Sequence, residues 1–193
     1  MNSKSNLMIC GFGRHGKDTV AAILAKELGV PAQCSSHLAS RHVIAPQLDK
    51  LFDKDYIDRV ARIDGAGSSW LHPDIIESNL YNTRHEGDGR KIWFDAICEY
   101  NKEDPTRLMR KLYEVSGIYV GCRSMREFVA GKDECFQLSI WVDASGRLEP
   151  ELGTCEIRSD DCDIVIHNNG TLDSLTAKVK RLSSILKRGM LSE

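Results

Sequence analysis

The chain has 193 residues, 41% of them hydrophobic and 28% charged, with a formal net charge of −2 at pH 7. That length suits one domain with mobile flaps and is enough to bury a sizeable core. The near-neutral balance excludes a basic nucleic-acid surface, no apolar run is long enough to span a membrane, and the short polar stretch before Leu7 has no signal-peptide core.

The seven cysteines include no C-x-x-C pair. Cys10, Cys122 and Cys162 sit in apolar strand contexts and read as buried free thiols of a reducing compartment, so a cytoplasmic protein is expected. Cys155 and Cys162 flank a loop, but no second pair completes a zinc site.

Leu7-Met8-Ile9-Cys10 reads as a buried strand, followed by a tight loop and an apolar-periodic helix. Gly11, Gly16 and Lys17 fit the G-x-x-x-x-G-K spacing of a phosphate-binding loop. Glycines let successive backbone N–H groups turn inward around a polyphosphate, and the helix start adds its positive dipole end. Gly13 and Arg14 complete the loop, and Lys17 is expected on the β- and γ-phosphates. The usual Ser or Thr after the lysine is Asp18, followed by Thr19, so one of these two must meet Mg²⁺. The competing reading is a glycine turn capped by Asp18.

Val20, Ile23, Leu24 and Leu28 recur at helical spacing, with Gly29 as the stop and Pro31 beyond it. Residues 33–103 read as a largely helical insertion. Ser35-Ser36-His37 is a cap or strand-end loop, and the helical run from Leu38 is interrupted by Pro46. Tyr56 to Ile63 is a short helix. The stretch 65–69 and Glu86-Gly87-Asp88-Gly89-Arg90 are glycine joints, with a helix from Pro73 to about Arg84 between them and another from Lys91 to Tyr100 after them. Such joints suggest a flap that moves. Trp70, Trp93 and Phe94 either stack a base or fill the core; His72 is a turn or packing histidine.

Asp104-Pro105 starts a further helix that ends near Ser116-Gly117. Strands are predicted at 118–122, 136–142 and 162–166, with Arg123 and Asp143 at the carboxyl ends of the first two. Ser124 to Ala130 is a short helix. Residues 144–161, with Arg147 and Arg158, resemble a lid loop more than a core element. His167-Asn168-Asn169-Gly170 turns, and Thr171 caps a closing helix with Leu172, Leu175, Val179, Leu182 and Leu186 on one stripe.

Strands alternating with helices predict an α/β three-layer sandwich: a mainly parallel sheet of about five strands flanked by helices. Ligands bind such sheets at the carboxyl ends of the strands. The glycine loop, Arg123, Asp143 and Asn168 all fall there.

Three segments resemble the adenylate kinase-like superfamily of P-loop nucleoside monophosphate kinases, and within it the phage-type deoxynucleoside monophosphate kinases. Gly16-Lys17-Asp18-Thr19 is similar to the end of the phage kinase loop. The stretch 118–124 followed by Glu127 resembles a strand ending in a substrate-side arginine. The stretch 161–172 resembles the last strand and adenine-side loop of these kinases and of dephospho-coenzyme A kinase. No acidic pair ends the 118–122 strand, where Cys122 and Arg123 stand.

The resemblance implies a single P-loop kinase domain: a core of residues 1–32, 104–143 and 162–193, a nucleotide-side insertion of 33–103 and a lid of 144–161. It implies transfer of the ATP γ-phosphate to a (deoxy)nucleoside 5′-monophosphate, with Mg²⁺. Lys17, Arg123 and Arg147 would act on the transferring group. Gly11, Gly13, Arg14, Gly16, Lys17, Asp18, Thr19 and Asn168 would hold ATP, with Asp18 or Thr19 on the metal. Ser36, Arg84, Arg90 and Arg123 would face the acceptor. Against these stand plainer readings: Arg123 pairing Glu127, Arg147 as an ordinary loop arginine, and Asn168 simply making its turn. The expected partner is the monophosphate alone, without nucleic acid or membrane. A homodimer is compatible with the sequence, and a phage-encoded protein would work in the host cytoplasm. Two alternatives stay open: a P-loop kinase of another small acceptor such as dephospho-coenzyme A, and a non-catalytic ATP-binding regulatory protein.

Overall fold

A computed structural model describes residues 6–62, 73–84, 86–132, 134–150, 153 and 155–190. The apolar run Leu7–Cys10 forms strand β1, with every side chain at 2% exposure or less. A strand apolar at each position must be covered on both faces, as happens in the middle of a parallel sheet. Four more strands complete that sheet: β2 (Ala32–Cys34), β3 (Ile118–Val120), β4 (Leu138–Asp143) and β5 (Ile164–His167). They stand in the order β2-β3-β1-β4-β5, and every pairing is parallel. Ile9 is in register with Val120 on one side and Ile140 on the other.

Alternation sorts the sheet's side chains into two layers. On one face, Leu7, Ile9, Val120, Ile140, Val142 and Ile166 pack with Val20 and Leu24 of α1 (Lys17–Leu28) and with Val179 of the closing helix Leu172–Met190. Full burial of one such side chain stabilises the fold by about 1.5–3 kcal/mol. On the other face, Tyr119 meets Tyr113 edge-on at 6.2 Å, and the Tyr113 hydroxyl donates to the Leu7 carbonyl at 3.0 Å. Phe128 and Phe136 pack 5.4 Å apart beside them. Helices Arg107–Val115 and Met125–Gly131 carry Tyr113 and Phe128. The α/β three-layer arrangement with five strands is therefore as the alternation predicts.

The chain divides into two compact units, residues 1–35 with 109–193, and residues 36–108. The first contains the sheet. The second is helical: α2 (Ser35–Ala39, shared at its start), α3 (Leu48–Leu51), α4 (Lys54–Arg62), α5 (Pro73–Thr83) and α6 (Gly89–Tyr100). The helices Arg107–Val115, Met125–Gly131 and Leu172–Met190 are accordingly α7, α8 and α9. Inside the second unit the Tyr56 hydroxyl meets Thr83 Oγ1 at 2.9 Å, and Asn79 Nδ2 donates to the Val60 carbonyl at 3.0 Å. Trp93 is buried there, whereas Phe94 is 44% exposed.

Several boundaries differ from the sequence reading for local reasons. The short β2 precedes Ser35, and α2 starts with no intervening loop. From α2 the chain stays helical through a π turn, Ser40–Ile44, and a 3-10 turn, Ala45–Gln47, that takes in Pro46. Proline has no N–H to donate, so an α-type hydrogen bond is lost at that point. The helix expected from Asp104 begins instead at Arg107, because Asp104 Oδ1 accepts from the Thr106 amide at 3.0 Å and its hydroxyl at 2.9 Å, making a separate turn. Residues 144–161 are not all surface loop: Ala144, Cys155 and Ile157 are buried, with exposed Glu156 and Arg158 alternating. Of the thiols expected inside, Cys10 and Cys122 are buried and Cys162 is half-buried. The joint at 65–69, Trp70 and His72 lie outside the described residues. Among the described residues no helix is long and apolar enough to cross a membrane.

Glu127 sits against the sheet layer, where its carboxylate is 6% exposed and accepts from the Tyr119 hydroxyl at 2.9 Å. Burial outweighs the hydrogen bonds from Tyr119 and Cys122 and raises its pKa from 4.5 to about 7. A carboxyl whose pKa is higher folded than unfolded contributes stability in full below the unfolded value and loses it as pH rises through the folded value. Wild-type stability should therefore fall by up to about 3 kcal/mol between pH 4.5 and 7 from this group alone. Denaturant melts of Glu127→Gln across that range should lack this fall, and the variant should be the more stable protein at pH 8.

Candidate functional site

The chain leaves β1 through Gly11 (φ +140°), Arg14 (φ +61°) and Gly16 (φ +95°) and enters α1 at Lys17. Positive φ is cheap only for glycine, so two of the three bends fall where the sequence supplies one. No side chain caps α1. Among the described residues no protein acceptor is hydrogen-bonded to the backbone N–H groups of Gly13, Gly16, Lys17, Asp18 or Thr19. Lys17 Nζ turns back over this turn and donates to the Phe12 carbonyl at 2.6 Å. The segment is thus a bend of unused amide donors at a helix start, closed by a cation, which is the chemistry that takes a phosphate group.

Two close approaches fix its shape. A Cβ on Gly11 would lie 2.6 Å from the Val142 carbonyl oxygen, and one on Gly16 would lie 2.5 Å from Asn168 Nδ2. Asn168, at the end of β5, is 6% exposed and donates from Nδ2 to the His15 carbonyl at 2.9 Å. The adenine-edge candidate thus braces the loop with its amide. His15 itself is fully buried, and its Nδ1 accepts from the Ala144 amide at 3.0 Å. Burial lowers the imidazole pKa, Asp143 opposes that, and Lys17 adds to it. Phe12 sets the aromatic side of the loop, edge-on to Trp141 at 5.2 Å and to His15 at 5.5 Å.

Cationic side chains gather at the same end of the sheet. Arg123 follows β3, and its carbonyl accepts from the Glu156 amide at 2.9 Å. Burial lowers the Lys17 pKa, and the nearby Arg123 guanidinium lowers it further. Arg158 lies over the Phe12 ring, 5.5 Å from its centroid, and Arg147 Nε donates to the Asn168 carbonyl at 2.7 Å. Asp143, at the end of β4, meets His167 Nδ1 at 3.0 Å and the Ser145 amide at 3.0 Å. Burial works against its charge, but hydrogen bonds from Ser145 and His167 prevail and hold its pKa at about 2.

Asp18 and Thr19 are exposed on the first turn of α1. Among the described residues no group of three or more His, Cys, Asp or Glu side chains could hold a metal ion alone. A carboxylate and a hydroxyl suit a hard cation that takes its other oxygens from phosphate and water, so the residues fit Mg²⁺ arriving with a nucleotide. Ser36, Arg84 and Arg90 belong to the second unit. There Ser36 is half-buried in α2, Arg84 stacks on Tyr81 with Cζ 3.7 Å from the ring centroid, and Arg90 is exposed at the start of α6.

The sequence reading missed His15 and Phe12. The one available signal was an aromatic and an imidazole inside a glycine-rich loop, where small residues are the rule.

No family model and no curated protein matches the chain. Among solved structures it is similar to shikimate kinase from Aquifex aeolicus, at 13% identity, TM-score 0.41, over 96% of this chain and 98% of that one. It is also similar to a sugar kinase from a Janibacter species, at 14% identity, TM-score 0.38, over 90% of this chain and 91% of that one. Neither likeness decides the reaction.

Gly16→Ala would meet both the φ of +95° and the 2.5 Å approach to Asn168. Strain of this kind costs about 1–3 kcal/mol, so denaturant melts should show Gly16→Ala less stable than wild type by about that amount.

Proposed function

We propose that the protein is an ATP-dependent phosphotransferase that moves the γ-phosphate of ATP to a small phosphorylated acceptor, a (deoxy)nucleoside 5′-monophosphate. The observation that carries this reading is the turn of unused amides before α1 with Lys17 Nζ folded over it. A polyphosphate is the ligand such a turn takes, and the central position of β1 puts it beside β3 and β4.

In this reading Gly13, Gly16 and Lys17 hold the donor phosphates, and Asp18 or Thr19 holds Mg²⁺ directly or through water. The ion, when bound with ATP, would neutralise charge on the β- and γ-phosphates. Two anionic phosphates must approach, so cations beside the loop have a task that a passive nucleotide scaffold lacks. Arg123 takes the acceptor phosphate. Arg147, whose Nε is tied to Asn168, and Arg158, which stacks on Phe12, lie on the segment after β4 and would exclude water as it closes. The monophosphate specificity comes from the resemblance of residues 16–19, 118–124 with Glu127, and 161–172.

The deciding experiment is ATP consumption with Mg²⁺ across the four deoxynucleoside monophosphates, their ribose counterparts, dephospho-coenzyme A and shikimate. Stimulation by a monophosphate is expected. Stimulation by another acceptor would move the assignment, and ATP binding without any stimulated turnover would end it. Lys17→Ala should lower phosphoryl transfer by about 10²–10³-fold with an unchanged circular dichroism spectrum. Arg123→Ala should lower kcat/KM for the monophosphate by about tenfold or more while ATP affinity holds, read by initial rates and calorimetry. An equal loss for both ligands would argue against its acceptor role.

A further inference from the structure

His15 is the only loop residue between Gly11 and Gly16 whose side chain is fully buried, and it makes two long-range hydrogen bonds. Its Nδ1 accepts from Ala144, the first residue after β4, at 3.0 Å. Its carbonyl accepts from Asn168, the first residue after β5, at 2.9 Å. Asn168 in turn receives Arg147 Nε on its own carbonyl at 2.7 Å and donates its amide to the Asp143 carbonyl at 2.6 Å. Ala144 starts the turn that delivers Arg147, since its carbonyl accepts from the Arg147 and Leu148 amides, both at 3.0 Å. The loop, the start of the segment that carries Arg147, and the turn after β5 are therefore joined in one ring of hydrogen bonds.

We infer that His15 is a positioning residue: its Nδ1 holds Ala144, and so fixes the base of the segment that brings Arg147 to the phosphate loop. A neutral imidazole that accepts at Nδ1 carries its proton on Nε2. Nε2 is buried and has no hydrogen-bond partner among the described residues. Edge-on packing against Phe12 asks only for a ring, so it gives no reason for an imidazole in particular. Nδ1 explains the choice, because it supplies an acceptor to an amide that is otherwise buried with Ala144. The charged and titratable groups that face the ring are Asp143, Lys17 and Arg147. Burial lowers the ring's pKa and so favours the neutral, accepting form, against Asp143 and the Val142 carbonyl, which favour the proton.

The catalytic half of this inference rests on the phosphotransfer reading; the hydrogen bond does not. Two variants separate the bond from the packing. His15→Phe keeps an aromatic ring and loses the acceptor. His15→Asn loses the ring and offers Oδ1 near the place of Nδ1. Amide hydrogen exchange at Ala144, without nucleotide, should rise about tenfold or more in His15→Phe and stay near wild type in His15→Asn. With ATP, Mg²⁺ and the best acceptor of the screen, kcat of His15→Phe should fall about tenfold while ATP affinity changes by less than about threefold, and His15→Asn should recover most of the rate. If His15→Phe fails to fold, His15→Ala, which cannot overfill the site, carries the same expectation. Unchanged exchange at Ala144, or full rate in the Phe variant with loss in the Asn variant, would overturn the inference. Failure of the wild type to consume ATP would sink the phosphotransfer reading and leave the exchange result to decide the role of His15.

Discussion

The structure depends on a contact that leaves no room for a side chain. Asn168 Nδ2 lies only 2.5 Å from where a Cβ of residue 16 would be. Because Gly16 has none, Asn168 can reach under the loop and take the His15 carbonyl. That bond occupies one loop carbonyl with a protein donor. An anion at the loop would meet its N–H groups. The glycine, the asparagine and the orientation of the amides form one constraint, drawn from opposite ends of the chain.

Sheet order converts this constraint into a site. With β1 in the middle, its loop has β3 on one side and β4 on the other. Arg123 comes from the first and the 144–161 segment from the second. Lys17 has its pKa lowered by burial and by Arg123, so the folded chain holds two cations together at some electrostatic cost. On the phosphotransfer reading proposed above, a bound polyphosphate would remove that cost, so charge here would be arranged for a ligand rather than for stability.

What was legible in the sequence follows the range of the forces. The strand Leu7–Cys10, the glycine loop and α1 are local patterns: a run without polar residues, glycines where φ must be positive, and a helical apolar stripe ended by Gly29 at φ +70°. Each could be read from its own segment. The strand Ala32–Cys34 could not, since three half-buried residues including Gln33 show no usable period. Buried Cys155 and Ile157 escaped because charged residues surround them in sequence. The role of His15 was the least legible, because its partners stand 129 and 153 residues away. A side chain whose function lies in a long-range hydrogen bond has no local pattern to show.

The absence of an acid at the end of β3 has a structural counterpart on the other neighbour of β1. Cys122 is buried after β3, and Asp143 ends β4. Asp143 is not a simple replacement for a metal-side carboxylate. Its Oδ1 accepts from the Ser145 amide and its Oδ2 meets His167, so both oxygens are engaged in shaping the turn that leads to Arg147. Its low pKa reflects those donors, with an electrostatic contribution from His167. The acid on this side therefore organises a loop. A divalent ion would depend on Asp18, Thr19 and the nucleotide's own phosphates. Such an ion should follow the nucleotide onto the protein, because few of its ligands belong to the chain.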